Sequence, residues 1–112
     1  RVLERYHGYS LVAVFPRTGR THQVRLHLSH IGHPCVVDRG YGGRECLLLS
    51  EMKPGYKFKQ GREERPLIER VSLHSRSVTL QYPENGPEVT FTAEYPKDFA
   101  LAIKMMQRWR KK

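Results

Sequence analysis

The sequence predicts an α+β domain built mainly on antiparallel strands, and three observations carry that expectation. Two pairs of alternating apolar runs each close on a short turn. A short segment of helical periodicity, rich in Arg and His, lies between the pairs. The last stretch of the chain repeats apolar residues at helical spacing.

In chain order, Val2, Leu3 and Tyr6 precede His7-Gly8, and Leu11, Ala13 and Phe15 alternate after it. This predicts a strand, a tight turn and a half-buried strand. Pro16 and Gly19 break the run, and a helix is expected over 21–31, stopped by Gly32 and Pro34. Val24, Leu28 and Ile31 are expected to face the core, with His22, Arg25, Leu26 and Ser29 on another side. Residues 36–66 are poorly patterned. "LLLS" (47–50) reads as a short buried strand, and 53–66, with turn signals at Pro54-Gly55 and Gly61, as a long loop. Val71 and Leu73 are expected in a further strand. Val78, Leu80 and Tyr82, the turn "PENGP" (83–87), and Val89, Phe91 and Ala93 make a second hairpin, Asn85-Gly86 supplying a positive backbone φ. "PKDFALAIKMMQRWRKK" predicts an amphipathic helix. Asp98 lies at its positive end, and Arg108, Arg110, Lys111 and Lys112 at its negative end. Its stripe of Phe99, Ala102, Ile103, Met106 and Trp109 is read as core packing in preference to a membrane or partner surface. No internal repeat or domain boundary is visible.

The formal net charge of +9 over 112 residues, with a pI of about 9.9, favours polyanionic partners. Nucleic acid comes first, and an anionic membrane surface is the weaker alternative, because the cations are spread over several elements instead of one amphipathic helix. The plain alternative is an ordinary basic soluble protein. No apolar run approaches the ~18 residues of a transmembrane helix. Cys35 and Cys46 are not in a C-x-x-C pattern, so two reduced thiols and a cytoplasmic setting are expected. The chain starts at Arg1 and not Met, which reads as a trimmed or processed chain or a piece of something longer.

Several chemistries can be weighed. His22, His27, His30, His33 and Cys35 suggest zinc, but i and i+5 diverge on a helix and two ligands do not make a site, so no metal is expected. Cys35 follows Pro34 in "HPCVV", an apolar context that raises a thiol's pKa and leaves it inert. The chain has two aspartates: Asp98 serves a helix start, and Asp38 in "VDRGYGG" reads first as a turn-stabilising residue and second as a catalytic one. Arg25 stands apart. "TGRTHQVRLHLSHIGHP" (18–34) holds two arginines and four histidines without one carboxylate. An arginine beside a core face is costly to desolvate without an anion. The anion is a phosphate, a surface Glu or a carboxylate from other sequence; the bland reading is an exposed arginine.

"PRTGRTHQVRLHLSHIGHP" followed by "VVDRGYGG" resembles a motif of the RluA-type pseudouridine synthases. The likeness continues through Leu73-His74, the second hairpin and an Ala-x-x-Pro-x-Asp-Phe ending (93–99), covering 2–99. The resemblance implies an α/β domain around a largely antiparallel sheet, with this chain as the C-terminal portion of the catalytic domain. It implies conversion of uridine to pseudouridine in rRNA or tRNA with no cofactor and no metal. The target base would be flipped out of its loop. Arg25 matches the arginine that pairs with the catalytic aspartate, keeping it ionised and aimed. Arg20 and His22, with Arg17 and Arg39 in the same blocks, are assigned to RNA contact or site organisation, and Asp38 and Tyr41 to a mainly structural element. The family usually has Gly before that Asp, where this chain has Val37. The His-Arg-Leu-Asp block that carries the nucleophile does not occur here, and Tyr6 and Tyr9 lack the context of the family's base-stacking tyrosine. The carboxylate for Arg25 is therefore expected from outside this chain, which alone should be inactive. The alternative function is a non-catalytic basic RNA-binding module.

Overall fold

The computed structural model describes residues 1–17, 22–56, 64–81 and 83–112. Strands β1 (Val2–Tyr6) and β2 (Tyr9–Val12) pair antiparallel across the His7-Gly8 turn, where Gly8 takes a φ of +84°. The alternation expected through Phe15 stops earlier. Ala13 N–H donates to the Arg1 carbonyl (2.8 Å), the ladder ends there, and Phe15 is 78% exposed.

Helix α1 (Gln23–His30) ends as expected at Gly32. Gly32, at a φ of +84°, donates its N–H to Ser29 O (3.1 Å), and His33 donates to Leu28 O (2.9 Å). These two bonds close the left-handed cap that only Gly adopts without strain. The helix start expected at residue 21 lies outside the described residues. The apolar face is less buried than its periodicity suggests: Val24 and Leu28 are half-buried, Ile31 is exposed, and no α1 residue is fully buried.

The core is assembled from Tyr6, Val37, Leu47, Met52, Ile68, Ala102 and Met106. Three of these seven, Val37, Leu47 and Met52, come from the stretch without clear periodicity. Residues 47–50 do not form the expected strand. Leu47 makes a single antiparallel bridge to Ile68, exchanging bonds with Ile68 O (2.9 Å) and Leu67 N–H (2.7 Å), and Leu49–Glu51 turns as one 3-10 coil. Val71 and Leu73 are not in a strand either; Leu73 N–H folds back onto Val71 O (2.8 Å). Val37 is buried in the core and donates its N–H to Ser72 Oγ (3.1 Å). A bulky residue before Asp38 is thereby accommodated.

Strands β3 (Ser77–Gln81) and β4 (Glu88–Thr92) form the second hairpin, with Asn85 at a φ of +66° in its turn. Its register separates two faces. Thr79 faces Thr90, their hydroxyls 2.7 Å apart, while Val78 faces Phe91 and Leu80 faces Val89. That apolar side is largely in solvent: Val78 and Phe91 are about half exposed. The two hairpins form separate two-stranded sheets and not one. Helix α2 (Lys97–Trp109) matches its expected stripe, with Ala102 and Met106 buried and Phe99, Ile103 and Trp109 half-buried. Its end returns to the start of the chain: Tyr6 bridges Lys111, and His7 N–H donates to Arg110 O (2.9 Å).

The shape is long, 60 × 28 × 27 Å, with a radius of gyration of 16.6 Å. A compact domain of this size would have about 13 Å. An open groove of about 820 Å³ runs between the first hairpin, α1 and α2, lined by Val12, Val14, Leu28, Ile31, Leu73 and Ile103 among others. Among the described residues no helix is long and apolar enough to cross a membrane.

Candidate functional site

The site begins with the cap of α1. The turn at Gly32 sends the chain back along the helix through Pro34 and Cys35 to Asp38, which places a carboxylate against the guanidinium of Arg25. Arg25 Nε donates to Asp38 Oδ2 (2.9 Å) and Nη2 to Oδ1 (2.6 Å), a two-pronged ion pair. Asp38 is wholly buried, and the Arg25 side chain is 17% exposed. Gly40 N–H adds a third donor to Oδ1 (3.2 Å). The Tyr41 ring lies 4.8 Å beneath the guanidinium carbon, and the Tyr41 hydroxyl is 3.1 Å from His22 Nδ1. His22 precedes the helix at a φ of +55°, a conformation few non-glycine residues take, and its ring meets Tyr41 edge-on.

The loop 38–43 is shaped for this pair. Asp38 N–H donates to Arg44 O (3.0 Å), Arg44 N–H to Val36 O (2.8 Å), and Gly43 N–H to Asp38 O (2.8 Å). A side chain at Gly43 would run into the Cys35 carbonyl oxygen and meet Asp38 N at 2.7 Å, so the close approach needs Gly there. A Cβ at Gly40 would stand 3.2 Å from Arg25 Nη2.

The electrostatics follow the geometry. Hydrogen bonding from Arg25, outweighing burial, holds the Asp38 carboxyl below the usual aspartate range, and Asp38 in turn raises Arg25. Burial, and then the Asp38 charge, push the Cys35 thiol up. Asp98, bridged by Arg70 Nη2 at 2.8 Å, is also lowered. Depressed carboxylates stabilise the fold above their unfolded-state pKa and lose that contribution as pH falls through the folded value. The melting temperature should therefore be insensitive to these groups near neutrality and drop below about pH 4. Thermal melts by circular dichroism between pH 7 and 3 check this, and a flat acid limb would contradict it.

Of the residues singled out by sequence, Arg25 and His22 come together around Tyr41. Arg17 and Arg39 are exposed and outside the cluster, and Arg20 lies outside the described residues. The carboxylate expected from outside the chain is not the one Arg25 holds here: Asp38 supplies it. The signal was present, since Asp38 is the only carboxylate between Glu4 and Glu45. With both oxygens engaged and no exposure, Asp38 is placed to hold Arg25 and not to attack a substrate. Among the described residues no three His, Cys, Asp or Glu side chains converge as a metal site.

No protein-family model matches the chain, and no solved structure matches it. Curated relatives do. The chain is 36% identical over 110 residues to ribosomal large subunit pseudouridine synthase D of Pseudomonas aeruginosa, covering 98% of this chain and 32% of that protein. It is 33% identical over 107 residues to the synthase D of Haemophilus influenzae, covering 96% and 31%. An uncharacterized RNA pseudouridine synthase of Chlorobaculum parvum is 34% identical over 109 residues, covering 96% and 32%. The chain thus spans about a third of the length of the curated relatives it matches. The forked Arg25–Asp38 pair thus lies in a chain that is similar, along nearly its whole length, to part of known RNA pseudouridine synthases.

Proposed function

We propose that the chain is the C-terminal portion of the catalytic domain of an RNA pseudouridine synthase, and that its parent isomerises uridine in rRNA or tRNA in the cytoplasm. The observation that carries this reading is the posture of Arg25. A guanidinium has five N–H donors in a rigid fork. Asp38 takes one on Nε and one on Nη2, and Tyr41 supports one face. Among the described residues none is bonded to Nη1, and that edge would take a second carboxylate, the nucleophilic aspartate of sequence outside this chain. In the reaction the C1′–N1 bond breaks, a C1′–C5 bond forms, C5 loses a proton and N1 gains one. The atoms balance, and no cofactor is called for. Asp38 and Tyr41 act as positioning residues. The apolar groove and the bare side of the β3–β4 hairpin are the surfaces on which the rest of the domain packs.

The test uses a uridine-containing stem-loop RNA. The chain alone is expected to bind it, with a log–log salt slope near −4 if about five phosphates are neutralised, and to form no pseudouridine. Turnover by the chain alone would overturn the assignment of the nucleophile to other sequence. The second reading, a non-catalytic RNA-binding module, draws on the burial of Asp38, which leaves the chain itself without an available nucleophile.

A further inference from the structure

A polar cleft of about 440 Å³ opens one residue beyond the Tyr41 platform. Its walls are the His7-Gly8 turn, the Gly42–Arg44 backbone and the end of α2 at Arg110. We propose that this cleft receives a phosphodiester of the RNA strand flanking the target nucleotide and passes it to the basic end of α2. The proposal rests on the RNA reading above and adds a surface to it.

Charge and donor chemistry carry the inference. Arg44, Arg110 and His7 line the cleft against one carboxylate, Glu51, which Arg44 Nη1 already engages. Arg110 is fixed in place by neutral acceptors: Nε donates to Met52 O (3.1 Å) and Nη2 to Glu51 O (2.7 Å). Its charge is therefore oriented without being neutralised. The walls are also laced together, because His7 N–H donates to the Arg110 carbonyl (2.9 Å). Beyond Arg110 lie Arg108, Lys111 and Lys112, with Lys53 and Arg108 at 4.8 and 5.2 Å from the Trp109 ring. None of Lys53, Arg108, Arg110, Lys111 and Lys112 forms a salt bridge with a described carboxylate. Such unneutralised cations, gathered around Trp109 and the end of α2, suit a flexible polyanion better than a compact acidic group. The partly polar lining and the glycines on two walls suit a backbone phosphate, which needs close approach and N–H donors but no apolar pocket.

The experiment measures binding of a fluorescein-labelled uridine stem-loop RNA to the 112-residue chain across a salt series. Arg44→Gln is expected to weaken binding about fivefold to tenfold and to make the salt slope shallower by nearly one. Lys97→Gln, the same charge loss at the opposite end of α2, should change affinity less than about twofold. Equal effects of the two substitutions would overturn the proposal and leave general charge as the cause. Should Arg44→Gln fail to fold, the wild-type chain decides. On addition of the RNA the amide resonances of His7, Gly8, Gly42 and Gly43 are expected to shift, and their standing still while other residues respond would equally overturn it. A wild-type chain with no salt-dependent RNA binding would instead defeat the RNA reading itself.

Discussion

Gly43→Ala is expected to lower the melting temperature by about 10 °C or more, or to abolish a cooperative melt. Adding one carbon to a packed interior costs about 1–3 kcal/mol when side chains can give way. Here the new methyl would meet the Cys35 carbonyl and the Asp38 amide nitrogen, both backbone. Those groups are held by the bonds that tie Asp38 to Arg44 and Arg44 to Val36. The cost should sit at about 3 kcal/mol or above, and each kcal/mol is worth about 4–8 °C in a domain near this size. Gly55→Ala is the control. Its φ of +68° makes alanine unfavourable, but nothing lies within 4 Å of the added carbon, so only a backbone cost of about 1 kcal/mol is expected. A Gly43→Ala chain that melts within two or three degrees of the Gly55→Ala chain would show that the loop does not run against Cys35.

Arg25→Leu should reverse the acid response of the protein. In the native chain the buried Asp38 carboxylate is compensated by the Arg25 fork. Without that fork a charge is left in the interior, and breaking a buried pair costs about 3 kcal/mol. The lower part of the range applies because the outer edge of Arg25 touches water. Asp38 can escape the cost by taking a proton, so its folded-state pKa would rise above its unfolded one. A raised pKa stabilises below the unfolded value and loses that effect as pH increases through the folded one. The Arg25→Leu chain should therefore melt higher at pH 4 than at pH 7, opposite to the wild type. In an intact enzyme the same change should remove pseudouridine formation, with Arg25→Lys restoring charge but not the two-pronged geometry. Asp38→Asn keeps the shape of the pair while removing the buried charge. If Arg25→Leu kept the wild-type acid profile, Arg25 would not be the counter-ion of Asp38.

Local patterns in the sequence located both hairpins, the Arg-bearing helix and α2, because each is specified by its own periodicity and turn residues. Asn85 and Gly32 took the positive φ that their turns require. The middle of the chain was illegible for a physical reason. Leu47, Met52 and Ile68 enter the core through isolated bridges and one 3-10 coil, so their spacing follows no period. Ile31 misled because a helical repeat says which residues share a face and not whether anything covers it. The site was half legible. Arg25 announced a need for an anion, while Asp38 looked like a turn residue, and it is one: the bend that stabilises loop 38–43 also delivers the carboxylate. His22 and Tyr41 lie nineteen positions apart, and no local pattern joins them.

The bridge from Tyr6 to Lys111 has a consequence for synthesis of the protein. A ribosome releases residues in order, and the first hairpin emerges before α2, with Tyr6 lacking its cover. Ala102 and Met106, which complete the cluster around it, appear some hundred residues later. Co-translational folding can therefore not finish until α2 has cleared the exit tunnel, and during that interval the nascent chain displays the apolar surface that chaperones bind.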